Sequence, residues 1–265
     1  MHVDPMLGPA APEHGWVPAP RYLLRRARVL ELARCLPPGD LLEVGCGAGL
    51  LLHEFARRGF RCAALEPSAE ALRLARTLAR EAGLAIGFHD APPPGWRQAF
   101  DAVLALDVLE HVADDRAALS AWAGWLRPGG RLVLSVPAHP RLWTAGDEWA
   151  GHFRRYERAG LERLVGEAGL EIERLECYGY PLANLSERVG ARSYAGRLRL
   201  ERGGGDAGRK ARNDRSGIDR GPHLRLYPLM RSLPGKIALA GFLGLQRLFV
   251  GTDLGSGYVL RAARR

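Results

Sequence analysis

Apolar and polar positions along this chain follow two alternating patterns. Five short apolar runs predict strands, at residues 41–44, 61–65, 84–88, 100–106 and 131–136. The segments between them place apolar residues at the three-to-four spacing of an amphipathic helix. Regular alternation of this kind predicts an α/β fold, a doubly wound parallel sheet with helices on both faces. Ligands of such sheets bind at the carboxyl ends of the strands.

The pattern is less regular at both ends of the chain. Residues 1–20 are rich in proline and are predicted to be extended, with Trp16 as their only large anchor. A helix is predicted from Arg21 to Leu36, so that 1–36 form an N-terminal extension and 37–265 the main domain. After Pro137 we expect a loop over 138–156, a helix over 161–168, a strand over 170–178, a long insertion over 181–252 and a returning strand over 258–262.

Composition indicates an ordinary globular protein of 265 residues, with 47% hydrophobic and 25% charged residues. The longest uncharged apolar stretch in the C-terminal part, 237–245, is short against the roughly 20 residues of a membrane span. Four scattered cysteines lack the spacing of a zinc site or disulfide framework: Cys35, Cys46, Cys62 and Cys177. We therefore expect no transmembrane segment and a cytoplasmic location, and the oligomeric state stays open.

The net charge of +9 is concentrated in one segment. Residues 191–231 hold eleven basic residues against four acidic ones, a net charge of +7. We expect this segment, which includes the glycine tract at 203–208, to be a solvated and partly mobile part of the insertion. A basic surface can also bind nucleic acid. The apolar segment 234–250 is expected to pack into the domain rather than lie on a membrane.

The most informative motif follows the first strand of the sheet. Gly45, Gly47 and Gly49 come directly after the apolar run at 41–44, at the start of a predicted helix. Glycine lets the chain turn sharply and approach a ligand with bare backbone. The helix that follows directs its free N–H groups and its positive dipole end toward the same place. Such a loop predicts a nucleotide-like ligand, and nicotinamide and flavin folds use similar loops.

Acidic residues follow the next three strands, and they narrow the class of ligand that the site can bind. Glu66 stands about twenty residues after the glycines, where a carboxylate accepts hydrogen bonds from ribose hydroxyls. Asp90 closes the third strand and Asp107 the fourth, and a Leu-Arg-Pro-Gly-Gly-Arg-Leu turn at 126–132 leads into the fifth. Carboxylates at these places would offset positive charge on a ligand, whereas a pyrophosphate would need the opposite.

Together these motifs resemble the Rossmann-like, S-adenosylmethionine-dependent methyltransferases, over residues 39–137. The resemblance implies a mostly parallel seven-stranded sheet whose last strand is antiparallel and follows the long insertion. It also implies that S-adenosylmethionine is the cofactor. By elimination, the 1–36 segment, with Trp16 and Tyr22, is expected to close over the cofactor as a lid. The residues implied for the cofactor are Glu43, Gly45 and Gly47 at the methionine part, Glu66 at the ribose with Pro67 against the adenine, Asp90 and Ala91 at the adenine amino group, and Leu106 and Asp107 at the methionyl amine and methyl group.

Methyl transfer from a sulfonium is a direct displacement, so the protein mainly aligns the reactants and excludes water. A hydroxyl or ammonium acceptor also needs a general base, and histidine suits that role. His111, His139 and His152 are candidates, and the catalytic residues we expect are His111, His152 and Tyr156. The dense aromatic and basic loop at 138–156, with Trp143, resembles the acceptor-binding loops of small-molecule and lipid-precursor members.

A metal-assisted alternative depends on Asp107, Glu110, His111 and His152. This set resembles the divalent-ion constellation of certain ubiquinone-pathway and small-RNA 2′-O-methyltransferases, and its ligand types suit magnesium or a transition ion. The shorter Asp107 stands at the first ligand position, and Leu-Glu-His-Val also occurs in metal-free members. We therefore expect no bound metal.

These features predict an enzyme that methylates an O, N or C atom of a small molecule or a lipid-linked precursor, and nucleic acid is not expected as its partner. Two alternatives stay open. One is an RNA methyltransferase that uses the basic segment 191–231. The other is a nucleic-acid-binding protein with a degenerate methyltransferase fold.

Overall fold

Each of the five apolar runs supplies one strand of the main sheet. The computed structural model describes residues 1–200, 208, 212–213 and 217–265, apart from the side chains of 199, 200 and 222. Its strands are β1 His2–Asp4, β2 Gly8–Ala10, β3 Asp40–Val44, β4 Arg61–Leu65, β5 Ile86–His89, β6 Phe100–Leu106, β7 Leu126–Pro137, β8 Leu170–Tyr178 and β9 Gly257–Arg264. The first two pair as a separate antiparallel hairpin.

The main sheet has the order β5-β4-β3-β6-β7-β9-β8. Strands β3 to β7 pair in parallel, and β9 runs antiparallel to both of its neighbours. This confirms the seven-stranded sheet with an antiparallel last strand. Val44 lies opposite both Leu65 and Ala105, so the carboxyl ends of β3, β4 and β6 lie side by side. The residues that follow these strands therefore meet at one edge of the sheet.

Helices cover both faces of this sheet. Their bounds are α1 Pro20–Leu32, α2 Leu50–Arg57, α3 Ala69–Glu81, α4 Asp115–Trp125, α5 Ala145–Ala150, α6 Arg158–Glu167, α7 Leu182–Leu200, α8 Gly221–Leu224, α9 Tyr227–Arg231 and α10 Leu233–Phe249. Leu41 packs in the cluster on one face with Phe55, and Leu42 packs in the cluster on the other face with Leu119 and Trp122. Burial on both faces explains why the parallel strands read as continuous apolar runs.

The first twenty residues are more structured than the sequence predicted. They form the β1–β2 hairpin, and Trp16 is not their only buried anchor, because Leu7 and Val17 are also fully buried. Trp16 contacts Tyr22 edge-on, with ring centroids 5.4 Å apart. The prediction that Trp16 is the only large anchor was therefore wrong. The extended stretches of the segment are also paired with each other, and this pairing satisfies their backbone hydrogen-bonding groups.

Two segments for which the sequence predicted no helix contain helices in the structure. The predicted loop 138–156 includes α5, and the insertion 181–252 includes α7 to α10. Within α10, Leu239 and Gln246 are buried against the domain, whereas Leu233, Ile237 and Leu248 are exposed. The expected mobility of the glycine tract concerns 203–207, which lie outside the described residues. Among the residues that are described, none of the helices has both the length and the apolarity that a membrane span requires.

A buried ion pair joins α1 to β8. Arg28 donates two hydrogen bonds to Glu176, at 2.7 and 3.0 Å, and both side chains are almost fully buried. We expect Arg28→Met to lower the free energy of unfolding by about 3 kcal/mol, because the buried Glu176 would lose its buried counter-charge and keep only the largely exposed Arg174. Equilibrium unfolding in urea measures this loss.

Two further variants control for this effect. Arg174 also bonds Glu176, at 2.8 Å, but its side chain is largely exposed, so Arg174→Met is expected to cost less than about 1 kcal/mol. The double variant Arg28→Met/Glu176→Leu should recover most of the lost stability, since it removes both charges. Equal losses for Arg28→Met and Arg174→Met would contradict the assignment of a buried, structure-bearing pair.

Candidate functional site

The glycine loop between β3 and α2 takes a conformation that glycine favours. Gly45 and Gly47 have φ of 65° and 55°, in the left-handed region. A Cβ on Gly45 would come within 2.5 Å of a methyl group of Val108, so no side chain fits there. The amide of Gly47 donates to Oε2 of Glu66 at 2.8 Å, which ties the loop to the end of β4.

A cavity of about 530 Å³ lies between this loop, helix α1 and the insertion. It is large enough for a small-molecule ligand. Seven of the residues predicted for the site line it: Glu43, Gly45, Gly47, Leu106, Asp107, His111 and His152.

The remaining predicted cofactor residues lie beside this cavity and do not line it. Glu66 is buried, and its two carboxylate oxygens accept the amides of Gly47 and Ser68. Pro67, Asp90 and Ala91 are exposed at the ends of β4 and β5. The site is therefore a cavity at the glycine loop with an exposed ledge next to it.

Asp107 lies at the base of the cavity with a positive φ of 55°. Its carboxylate accepts a hydrogen bond from Ser135 Oγ at 2.8 Å, and it lies 2.5 Å from Arg25 Nη1 and 3.9 Å from Arg21 Nη2. Burial alone would raise the pKa of Asp107, but the two guanidinium groups outweigh burial and hold the pKa below its ordinary value. Asp107 is thus a fixed negative charge at neutral pH.

Glu43 is the opposite case at the same edge of the sheet. It lies between two apolar residues near the carboxyl end of β3. Its side chain is buried, and its Oε2 has no hydrogen-bond partner. Burial raises the pKa of Glu43 to about 8, in spite of the attraction of Arg25. A buried carboxyl group that lines a cavity without a partner is suited to meet a ligand cation.

His152 is oriented by a network at the other side of the cavity. Its Nδ1 lies 3.0 Å from Oδ1 of Asp147, and this carboxylate also accepts two hydrogen bonds from Arg155, at 2.7 and 2.8 Å. Burial raises the pKa of Asp147, but the bonds from His152 and Arg155 lower it below its usual range. An ionised carboxylate can only accept, so Nδ1 of His152 carries the hydrogen and Nε2 is left as a base.

Glu110 and His111 complete a cluster with His152. One potential ligand atom from each of the three lies within 4.8 Å of the others. Glu110 is fully buried, and neither of its carboxylate oxygens has a hydrogen-bond partner. Burial, with Asp107 nearby, raises the pKa of Glu110, and burial next to His152 lowers the pKa of His111 to about 3. These donor types can hold a divalent ion.

Three aromatic and histidine residues predicted for the acceptor lie elsewhere. The hydroxyl of Tyr156 donates to Asp115 at 3.0 Å, and its ring packs in the core, so we do not retain Tyr156 as a catalytic residue. His139 lies against Cys177 and Tyr258, away from the cavity lining. Trp143 is half exposed, with its ring centroid 6.5 Å from that of His152. The parallel bridge between Ala138 and Tyr156 turns the Tyr156 side chain inward.

Other cavity residues were not identified from the sequence. Arg21 and Arg25 are four residues apart, so α1 carries them on the same face, where both approach Asp107. That spacing could have identified the two arginines from the sequence. Asp147 could have been identified less directly, as the N3 residue of a capping box with Thr144. Tyr194 and Arg197 reach the cavity from α7, and no sequence signal indicated it.

The described part of the basic segment does not form a uniform cationic surface. Arg197 lies over the rings of Trp149 and Tyr194 and pairs with Asp219 at 3.4 Å. Arg220 lies over Trp16 and also lines the cavity. Two of the arginines that suggested nucleic acid thus face the enclosed site.

Comparison with known proteins agrees with this geometry. The family model described as "Methyltransferase domain" matches residues 19–175. A ubiquinone biosynthesis O-methyltransferase of Xanthomonas euvesicatoria pv. vesicatoria is 33% identical over 187 residues, 63% of this chain and 74% of that protein. The protein of the same name from Xanthomonas axonopodis pv. citri is 34% identical over 173 residues, 58% of this chain and 72% of that one.

Solved structures share the fold at lower identity. A provisionally assigned sarcosine dimethylglycine methyltransferase from Galdieria sulphuraria matches with a TM-score of 0.59 and 14% identity, over 99% of this chain and 94% of that one. The cyclase SpnF matches with a TM-score of 0.57 and 21% identity, over 94% and 83%. Family and fold together imply the use of S-adenosylmethionine. The chain belongs to the methyltransferase domain family and is a Rossmann-like, S-adenosylmethionine-dependent methyltransferase.

Proposed function

We propose that this enzyme transfers the methyl group of S-adenosylmethionine to a hydroxyl oxygen of an aromatic or lipid-linked small molecule, with His152 as the general base. One observation carries the proposal. The Asp147–His152 pair, 3.0 Å apart, lines the same cavity as the glycine loop and Asp107. The names of the two Xanthomonas relatives, which specify O-methylation in ubiquinone biosynthesis, support oxygen as the acceptor atom.

The methionyl half of the cofactor is proposed to lie in the cavity, where Gly45 and Gly47 leave room for it. Leu106 and Asp107 would contact the methionyl ammonium and the methyl group, and Glu43 would lie close to the same positive charge. The adenosine half would extend over the open ledge. There Glu66 would hold the ribose, Pro67 would contact the adenine, and Asp90 with Ala91 would bind the amino group.

The chemical step needs alignment and removal of one proton. The acceptor oxygen attacks the methyl carbon while the carbon–sulfur bond breaks, and S-adenosylhomocysteine leaves as a neutral thioether. Nε2 of His152 accepts the proton of the hydroxyl group, and Asp147 stabilises the imidazolium that forms. His111 is proposed to border this base as a neutral ring, because its pKa is near 3.

Cofactor binding is expected to release a proton from Glu43 below pH 8. In the free protein the pKa of Glu43 is about 8, so the carboxyl group holds its proton at pH 6 to 7. A bound ammonium favours the ionised form and lowers this pKa. Affinity for S-adenosylmethionine should therefore rise by about tenfold from pH 6 to pH 7. Below the pKa of the free protein, the ionised fraction of Glu43 grows about tenfold with each pH unit.

Calorimetry in buffers of different ionisation enthalpy measures the released proton. Glu43→Gln is the matched control, because it keeps the shape and removes the titration. It should show no proton release and a flatter pH dependence. An unchanged pH dependence in Glu43→Gln would contradict the proposed position of Glu43.

The acceptor class is tested with methyl-labelled S-adenosylmethionine and a cell extract. We expect label in an organic-extractable fraction, in a methyl ether that resists mild alkali. A panel of soluble acceptors should then show transfer to hydroxyl groups in preference to amines or thiols. Label in RNA, or in protein alone, would contradict the proposal.

A metal-assisted form of the same reaction is a second candidate, favoured by the two unpartnered oxygens of Glu110. Glu110, His111 and His152 fit a divalent ion by donor type and spacing, and they would be its ligands. When bound, such an ion supplies positive charge that lowers the pKa of an acceptor hydroxyl.

Metal analysis after dialysis against Mg²⁺, Mn²⁺ or Zn²⁺ separates the two candidates. We expect no stoichiometric ion and no effect of EDTA on turnover. One bound ion per chain, lost in Glu110→Gln, would establish the metal-assisted form.

A further inference from the structure

One side of helix α10 is apolar and uncovered. Leu233, Ile237 and Leu248 are between 63% and 76% exposed and recur at helical spacing, and Gly244 lies on the same side. The stripe from Leu233 to Leu248 is about 22 Å long at 1.5 Å per residue. Leu229 on the preceding helix α9 is 61% exposed and extends it. A soluble surface rarely leaves so many large aliphatic side chains together in water.

The charged residues within this segment of the chain are all basic. Residues 220–252 contain no aspartate or glutamate. Arg225, Arg231 and Arg247 are exposed, and none of them forms an ion pair with a described carboxylate. Lys236, by contrast, is paired with Asp4 at 2.6 Å. Arg231 also lies over the ring of Tyr227, 5.8 Å from its centroid. An apolar stripe bordered by arginines is the pattern of a helix that lies in the plane of a membrane interface.

The surface is continuous with the rim of the cavity. His223 and Leu226 line the cavity, and Leu226, itself 37% exposed, directly precedes α9. An apolar molecule that leaves the plane of a bilayer under α9 and α10 would therefore meet the entrance of the site.

We propose that the face formed by α9 and α10 rests on an anionic lipid bilayer, with Leu233, Ile237 and Leu248 among the acyl chains and Arg231 and Arg247 at the headgroups. A second copy of the chain fits this face less well, because a two-fold contact would bring arginines of the same sign together. Long arginine side chains extend readily from an apolar stripe to phosphate groups. The inference does not depend on which atom the enzyme methylates.

Sedimentation with lipid vesicles tests the proposal. We expect the full chain to bind vesicles of phosphatidylcholine that contain about 30% phosphatidylglycerol. It should stay in the supernatant with phosphatidylcholine alone. Leu233→Ser/Ile237→Ser/Leu248→Ser should weaken the partition by about 100-fold or more, because three aliphatic side chains no longer enter the bilayer. Arg231→Gln/Arg247→Gln should weaken it by about 30-fold, and added salt should have the same direction of effect.

A matched charge control is available on α3, which packs at the opposite edge of the sheet. Arg73 and Arg80 are exposed there, and Arg73→Gln/Arg80→Gln should leave the partition unchanged. Circular dichroism and S-adenosylmethionine binding show that each variant is folded, whatever the acceptor proves to be. Wild-type protein that ignores anionic vesicles, or serine variants that bind like wild type, would overturn the proposal. So would light scattering that shows a dimer which the serine substitutions convert to a monomer.

Discussion

His152→Gln is expected to lower turnover by about a thousandfold while changing the affinity for S-adenosylmethionine by less than about twofold. The substitution removes the proton acceptor and leaves the glycine loop and Asp107 untouched, and a positioned base contributes roughly 10²- to 10⁴-fold. Glutamine retains a polar group of similar reach, so the cavity keeps its shape. Single-turnover kinetics with a hydroxyl acceptor from that panel, together with calorimetric cofactor binding, measure the two quantities separately.

Asp147 is a positioning residue in this scheme, because it acts through His152. Asp147→Asn should reduce turnover by about 10- to 100-fold and lower stability as well, since Asp147 also holds Arg155 and Thr144. His14→Gln is the matched control, because His14 is an exposed histidine that pairs with Glu81 at 3.0 Å. Turnover of His152→Gln within about fivefold of wild type would exclude His152 as the base.

The parallel sheet could be predicted because its strands are buried on both faces. Such strands give short, largely apolar runs in the sequence, and the parallel strands β4 and β6 fall at the predicted residues. The hairpin β1–β2 could not be read in this way, since three-residue strands carry no periodicity. The β-strand β7 is longer than the predicted run because it begins in the Leu-Arg-Pro-Gly-Gly turn.

Half of the site could be predicted because it follows strand ends. Topology alone brings the residues after β3, β4 and β6 to one edge, so Gly45, Glu66 and Asp107 had to be neighbours. The acceptor side depends on tertiary contacts of α1, α5 and α7. Local spacing offers only the Arg21–Arg25 pair of α1 and the capping box at Asp147 of α5, and nothing for α7. Tyr156 illustrates the limit: its place in the Gly-His-Phe-Arg-Arg-Tyr run suggested the pocket, but its hydroxyl bonds Asp115 in the core.

The uncovered side of α10 has a similar explanation. The segment 234–250 is apolar on most positions, and from sequence that pattern is equally typical of a buried helix. Only the fold shows that one side is turned away from the sheet, with Leu239 and Gln246 inward and Leu233, Ile237 and Leu248 outward. Hydrophobicity alone therefore could not decide between packing into the domain and lying on a membrane.

Gly47→Val is expected to weaken S-adenosylmethionine binding by at least about 100-fold. Gly47 has φ of 55°, a conformation that costs an L-residue about 1–2 kcal/mol and that a β-branched residue adopts least well. Its amide also holds Glu66, at 2.8 Å, so a shift of the loop would displace the proposed ribose ligand. A Cβ there would lie 3.4 Å from the carbonyl oxygen of Gly217, which closes the cavity above the loop. Calorimetric titration measures the loss.

Gly129→Val separates backbone strain from loss of the site. Gly129 has φ of 75° and open space around its Cβ position, in the turn at the start of β7, far from the carboxyl ends of the strands. Both variants should lower the free energy of unfolding by about 1–3 kcal/mol, because both force a branched side chain into the left-handed region. Only Gly47→Val should lose the cofactor. If the two variants bound S-adenosylmethionine equally well, the loop after β3 would not be the cofactor loop, and the proposed positions of Glu43, Glu66 and Asp107 around it would have to be abandoned.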